Sequence, residues 1–294
     1  MTTAAGEPVV VGVDGSPRSL SAVATAAGEA ALRRRPLRIV HAFTWPPVET
    51  PGMAGSSLRR CRETADAYAA EAVLLAERVA PGVSTTSEIV PGRAVSVLLD
   101  ESRHADLLIL GDRGLSGFAG VIIGSVAVQT AAQSSCPVLV VRGQHRRGAP
   151  VAVGVDGSRT SMLALEFAAR EADMRGADLV ALHAWNGNDG TELNSALPMT
   201  CESWSGDQEE RRVLAESLAG LAEKYPGLQI RRQIRRGSAR RLLTGWSRTA
   251  QLVVVGDRGH GGFAGVLLGS VSQRLVHRAA CPVAVVRPAP AAVA

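Results

Sequence analysis

Lysine is nearly absent from this chain: Lys224 is the only one among 32 basic residues, and the other 31 are arginines. No G-x-x-x-x-G-K-[ST] string occurs and no lysine is available to act at one, which excludes a P-loop NTPase. Cysteine is scarce too. Cys61, Cys136, Cys201 and Cys281 form no C-x-x-C pair and have no histidines at zinc spacing, so a structural zinc site is excluded. Cys136 and Cys281 precede Pro137 and Pro282 at matching places, where a small buried residue at the start of a strand accounts for them, and a reducing compartment fits. Aromatics are 3% of the chain, and none interleaves the arginine clusters at 33–35, 146–147, 231–232 and 235–236 as base stacking would require. Those clusters read as solvated charge at helix ends, a linker and a strand flank, so no nucleic-acid partner is expected despite a net charge of +5 and a pI near 9.5. No apolar run reaches the roughly 18 residues of a membrane span, and the N-terminus lacks a charged segment leading into an apolar one. The expectation is a cytoplasmic protein with no membrane partner.

What is present is said twice. GDRGLSGFAGVIIGSV, from Gly111 to Val126, returns as GDRGHGGFAGVLLGSV from Gly256 to Val271. VVVGVDGS at Val9 to Ser16 matches VAVGVDGS at Val151 to Ser158 with an offset of 142, whereas the glycine stretches are offset by 145, so the second copy carries three extra residues between His183 and Gly237. In a chain of 294 residues this gives two domains of ordinary size, each large enough for its own core. Abundant arginine and alanine point to a GC-rich bacterial genome.

Each glycine stretch follows an apolar run, Asp106 to Leu110 and Gln251 to Val255, whose lack of polar alternation reads as a buried parallel strand. Glycines three apart, Gly111 and Gly114 or Gly256 and Gly259, allow close backbone approach to a ligand. Then Gly124–Ser125 and Gly269–Ser270 each open a helix. Amides at a helix start lack intrahelical partners and lie at the positive end of the dipole, so anions are favoured there. The device reads as a phosphate cradle.

The remaining pattern alternates strand and helix. Val9 to Val13 is a strand, and Asp14-Gly15-Ser16-Pro17 turns into a helix with Ser16 as N-cap and Pro17 at its first position. Leu20, Val23, Ala24, Ala27 and Ala31 are expected to be its buried stripe. Strands follow at Leu37 to Phe43, Thr85 to Val90 and Pro137 to Arg142, with helices at Leu58 to Val79, Ala94 to Ser102 and from Ser125. Thr44 to Gly55 is expected to be a mobile loop, Gly143 to Pro150 a polar linker, and the PAPAAVA tail disordered.

Strand, G-x2-G, nine residues and G-[ST] together resemble the nucleotide-binding signature of the universal stress protein family in its ATP-binding branch, with domains at 7–142 and 150–288. The resemblance implies an α/β fold of two tandem, doubly wound, parallel five-stranded Rossmann-like sheets, strand order 3-2-1-4-5, with helices on both faces. That order reverses its winding between strands 1 and 4, where such sheets bind ligands. It also implies one ATP per domain, with phosphates at Gly111, Gly114, Gly124, Ser125 and Val126 and at Gly256, Gly259, Gly269, Ser270 and Val271. The nucleoside would meet Gly12, Asp14 and Ala42, or Gly154, Asp156 and Ala184. A carboxylate at Asp14 or Asp156 suits a ribose or an adenine amino group as acceptor, and suits equally an ordinary Asx turn. His41 and His183 read as packed strand-end residues, and Phe43 and Trp185 as covers for the base or simple packing. Arg113 and Arg258 reach either a terminal phosphate or solvent. Asp112 and Asp257 either point away from the phosphates or face them across a magnesium ion. Phosphoryl transfer needs an oriented base or water with charge stabilisation, and no such set is evident. The expected function is therefore nucleotide-dependent regulation of stress response or growth, with a slow ATPase or adenylate-processing enzyme as the alternative, no catalytic residues and no protein-held metal. The family pairs equivalent last strands antiparallel, which implies that the two halves pair within the chain; a homodimer is compatible with this.

Overall fold

The structure, a computed structural model, describes residues 6–44, 56–115, 124–185, 202–260 and 267–288. The expected loop after Thr44, the middle of each glycine stretch and the tail from 289 lie outside these residues. The chain divides into two compact units that meet in sequence between Arg142 and Gly143.

The first unit runs β1 (Val9–Val13), α1 (Pro17–Arg33), β2 (Leu37–Phe43), α2 (Ser56–Val79), β3 (Thr85–Pro91), α3 (Ala94–Glu101), β4 (Leu107–Gly111), α4 (Ser125–Gln133) and β5 (Val138–Val141). Its strands are all parallel in the order β3-β2-β1-β4-β5. The second runs β6 (Val151–Gly154), α5 (Arg159–Met174), β7 (Leu179–Trp185), α6 (Glu202–Ser217), α7 (Leu221–Lys224), β8 (Ile230–Arg236), α8 (Ala239–Trp246), β9 (Leu252–Gly256), α9 (Ser270–Arg278) and β10 (Val283–Val286). Its order, β8-β7-β6-β9-β10, is the same one. α1 packs with α2, and α3 with α4; right-handed crossovers in this strand order put those pairs on opposite faces of the sheet. The central strands are therefore covered on both sides, which is why Val9, Val10, Val11 and Leu107, Leu108, Ile109 are all buried without alternation.

Register explains where each sheet opens. β1 stays paired with β2 as far as Val13↔His41, but its pairing with β4 ends at Val11↔Ile109. In the second unit β6 and β9 part after Val153↔Val254. The two central strands thus separate at their C-terminal ends, leaving a crevice between the DGS turn and the glycine stretch.

α1 differs from its expected stripe. Its buried face is Ser19, Ala22, Val23, Ala26, Ala27, Glu29 and Ala30, while Ala31 is exposed and Leu20 and Ala24 are only half-buried. Ser19 can be buried because its hydroxyl donates to the Ser16 carbonyl. Glu29 is buried because Arg33 lies beside it (3.4 Å) and bridges on to Asp106 (3.0 Å) in front of β4. With the Arg33 side chain only 3% exposed, Asp106→Ala leaves a buried cation short of one counter-charge. The expected loss is about 3 kcal/mol of unfolding free energy, measured by urea denaturation; a loss below about 1 kcal/mol would show that Arg33 is held well enough without Asp106.

Candidate functional site

The site begins with two turns. Asp14 and Asp156 follow the ends of β1 and β6, and each is an Asx turn: Asp14 Oδ1 accepts the Ser16 amide (3.0 Å) and Asp156 Oδ1 accepts the Ser158 amide and hydroxyl (3.0 and 2.6 Å). Ser16 and Ser158 then cap α1 and α5. Gly15 and Gly157 have φ of +81° and +80°, and a Cβ at Gly15 would lie 2.4 Å from the Tyr68 ring, so side chains of α2 and α6 close over these turns.

Each aspartate also does something that local sequence does not announce. Asp14 Oδ2 accepts the amide of Leu115 at 2.7 Å, and Asp156 Oδ2 that of His260 at 3.2 Å. The carboxylate therefore fastens the glycine stretch across the mouth of the crevice. Gly114 and Gly259 permit it, since a Cβ there would stand 2.2 and 2.3 Å from the same carboxylate oxygen. Burial alone would raise the Asp156 pKa, but the Ser158 hydroxyl and amide, Ser161 and the His260 amide outweigh it and hold the carboxyl below its ordinary value.

The glycine stretch is pinned at its far end as well. The Gly124 amide donates to the Asp112 carbonyl and the Gly269 amide to that of Asp257, both at 2.8 Å. Gly124 and Gly269 are the N-caps of α4 and α9, with no side-chain capping bond. The first intrahelical bonds to the cap carbonyls come from Val128 and Gln273. The amides of Ser125, Val126 and Ala127, and of Ser270, Val271 and Ser272, are therefore free of helix partners.

In the second unit these parts line one cavity of about 670 Å³. Gly154, Asp156, Ala184, Gly256, Gly259, Gly269, Ser270 and Val271, all expected from the sequence, are among its walls. Arg258 is also among the walls, and it is exposed to solvent. The apolar wall of Leu182, Leu242, Leu243 and Val255 was not anticipated; its signal was only that these are apolar residues at strand ends and on α8. In the first unit, Gly12 meets Leu98 and Leu110 as Gly154 meets Leu243 and Val255, so the same apolar wall stands behind Asp14. Ala42 is the next-to-last residue of β2, as Ala184 is of β7.

Other residues sit elsewhere. Asp112 and Asp257 are buried, and their carboxylates turn to Arg18 (3.6 Å) and Arg287 (3.2 Å); Asp257 does not line the cavity. Of the two positions weighed from the sequence, theirs is the one facing away. His183 is buried with Nδ1 on the Val155 carbonyl (2.7 Å) and Nε2 on Glu210 (2.6 Å), and His41 Nδ1 bonds the Val13 carbonyl (2.9 Å). Both histidines tie strand ends together. The Trp185 ring carries the Arg236 guanidinium 5.8 Å above it and is not a wall of the crevice. Among the described residues no three His, Cys, Asp or Glu side chains gather as a metal site, and no helix is long and apolar enough to cross a membrane.

The chain is similar over nearly its full length to known proteins. A universal stress protein of Mycobacterium tuberculosis is 40% identical over 291 residues, covering 95% of this chain and 96% of that one. One from Mycolicibacterium smegmatis is 36% identical over 292 residues, covering 95% and 97%. The crystal structure of a universal stress protein from Archaeoglobus fulgidus superposes with a TM-score of 0.69 at 19% identity, covering 95% of this chain and 98% of that one, which supports the fold. The universal stress protein family model matches twice, at residues 7–142 and 149–287, and the chain belongs to that family as a tandem of two copies.

Proposed function

We propose that each half binds one ATP and that the protein is a cytoplasmic, nucleotide-dependent regulator of stress response or growth rather than a catalyst. The observation that carries this reading is the second-unit cavity, in which an apolar wall, a strand-end aspartate and a helix start stand together in a volume of about 670 Å³. An adenine fits the apolar wall of Leu182, Leu242 and Leu243 beside Ala184. A ribose hydroxyl can donate to Asp156, which keeps accepting capacity beyond its present bonds. The polyphosphate fits the amides of Ser270 to Ser272, the Ser270 hydroxyl and Arg258, where charge-assisted bonds are strongest. Among the described residues the only carboxylate lining this cavity is Asp156, already committed to Ser158 and His260, so a magnesium ion would arrive on the phosphates with its own waters rather than on a protein cage.

The test is mass spectrometry of small molecules released from the purified, denatured protein, sampled over hours. Intact ATP at about two per chain is the expected result. ADP or AMP accumulating with time would move the assignment to the slow ATPase, and a protein free of nucleotide that also fails to take up added ATP would overturn it.

A further inference from the structure

A second cavity of about 600 Å³ lies beside the second-unit crevice and shares only Ala184 and Leu242 with it. Its other walls belong to the end of β8 and one face of α8. Pairing of Ala184 with Arg235 and of Trp185 with Arg236 sets two arginines at the C-terminal end of the strand. Gly237, at φ +126°, turns the chain into α8. Ser238, Arg241, Leu242, Gly245, Trp246 and Thr249 then recur at helical spacing along the cavity. Arg235, Arg236 and Arg241 thus converge, and among the described residues no acidic side chain lines the cavity with them. The Arg236 guanidinium is seated over Trp185, and α8 brings the positive end of its dipole at Ser238, which makes no side-chain capping bond.

Charge on an edge strand ordinarily serves to block pairing with another sheet. Arg231 and Arg232 fit that role, Arg231 being paired with Asp178. Arg235, Arg236 and Arg241 are exposed as well, but they differ in lining one open pocket together with an indole. The first unit offers a built-in comparison. There the matching positions are Val90, Pro91 and Ser96, and Trp246 is matched by Glu101, which is held by Arg38 at 2.7 Å. Three cations and an aromatic in one unit replace two apolar residues, a serine and an acid in the other.

We propose that this cavity is a second, exchangeable ligand site, present only in the second unit, for a nucleoside mono- or diphosphate. Its phosphate lies among Arg235, Arg236 and Arg241 and its planar base against Trp246. Guanidinium forks suit phosphate oxygens, and an indole face stacks on any base. The site borders the crevice through Ala184 and Leu242, but its arginines and its indole are not walls of the crevice.

The test is equilibrium dialysis of labelled AMP against the full chain at low ionic strength, with saturating ATP present and its retention monitored. One AMP per chain is expected in addition to the retained ATP. Arg235→Gln with Arg241→Gln should weaken that binding at least tenfold and flatten its salt dependence, and Ser96→Ala in the first unit should leave it unchanged. Trp246→Ala should weaken AMP but not inorganic pyrophosphate. No extra AMP, binding indifferent to the arginine pair, or AMP that enters only by displacing ATP would each overturn the proposal. So would a single-stranded oligonucleotide that outcompetes AMP through the same arginines, which would make this face a nucleic-acid surface. If the parent binds no ATP, the crevice assignment fails by itself, and the same dialysis on Gly124→Glu/Gly269→Glu still decides this site. Should that variant not fold, dialysis of the nucleotide-free parent with and without the arginine pair replaces it.

Discussion

Nucleotide bound per chain is expected to fall from about two to about one in Gly269→Glu, to about one in Gly124→Glu, and to none in the double variant. The reason is charge in a confined place. Gly124 and Gly269 cap α4 and α9, and the free amides of the next three residues face the position the phosphates would take. A glutamate there sets a negative charge against a chain of several more. One such pair at about 4 Å is worth on the order of 4 kcal/mol at an effective dielectric of 20, before the lost amide contacts of roughly 1.5–3 kcal/mol each are counted. A loss beyond a thousandfold at the altered site is therefore expected, and the other site, in its own sheet, should be nearly unaffected. Alanine separates charge from bulk. A Cβ at Gly124 has its nearest neighbour at 3.6 Å, ordinary contact, whereas at Gly269 it would lie 3.2 Å from the Arg258 Cα and the Asp257 carbonyl. Gly124→Ala should accordingly be almost neutral and Gly269→Ala modestly weaker. A folded double glutamate variant that still carries ATP would remove the phosphates from this loop altogether.

The parts of this molecule that were legible in its sequence are those where one physical demand dominates. Strands buried on both faces need unbroken apolar residues, so Val9–Val13 could be read to the residue. A helix start that must leave its amides open needs a cap with no side chain in the way, and the Gly-Ser pairs say so. α1 was less legible because alanine is compatible with either face: its periodicity did not separate Ala30, buried, from Ala31, exposed, and the ion pair that buries Glu29 depends on Asp106 far along the chain. The second copy of α2 is broken into α6 and α7 where Gly220 takes φ +79°, a departure that matching of the two halves by offset did not reveal. The reach of Asp14 to Leu115 spans 101 residues, and a single carboxylate has no periodicity to betray it. The arginines of β8 are exposed, as their sequence context implies; what the sequence does not show is their neighbour. Trp246, ten residues beyond Arg236 in sequence, becomes their neighbour only when α8 folds back beside the strand.

That carboxylate makes the second large prediction, because it connects the loop to acidity as well as to affinity. Asp14→Ala and Asp156→Ala remove the acceptor that fastens Leu115 or His260, and each should cost its own site about tenfold to a hundredfold in ATP affinity, the equivalent of one charge-assisted bond of roughly 1.5–3 kcal/mol. The loss at the first site should be the larger, its bond being 2.7 Å against 3.2 Å. Hydrogen exchange at the Leu115 and His260 amides should accelerate without ligand present, a change that a role confined to touching ribose would not produce. For Asp156 the pH dependence follows from its lowered pKa. Its fastening is complete above the unfolded carboxyl value of about 3.9 and is lost as pH falls through the lower folded value. ATP binding at the second site should therefore hold down to about pH 4 in the Gly124→Glu background and weaken below it. Asp156→Asn should bind less tightly throughout and lack that final step, and subtracting its profile removes the protonation of ATP itself and of the rest of the protein. If amide exchange and affinity are both unchanged in the alanine variants, the aspartates are Asx turns leading into α1 and α5 and nothing more, and the loop is held by its glycines and by the Asp112 and Asp257 carbonyls.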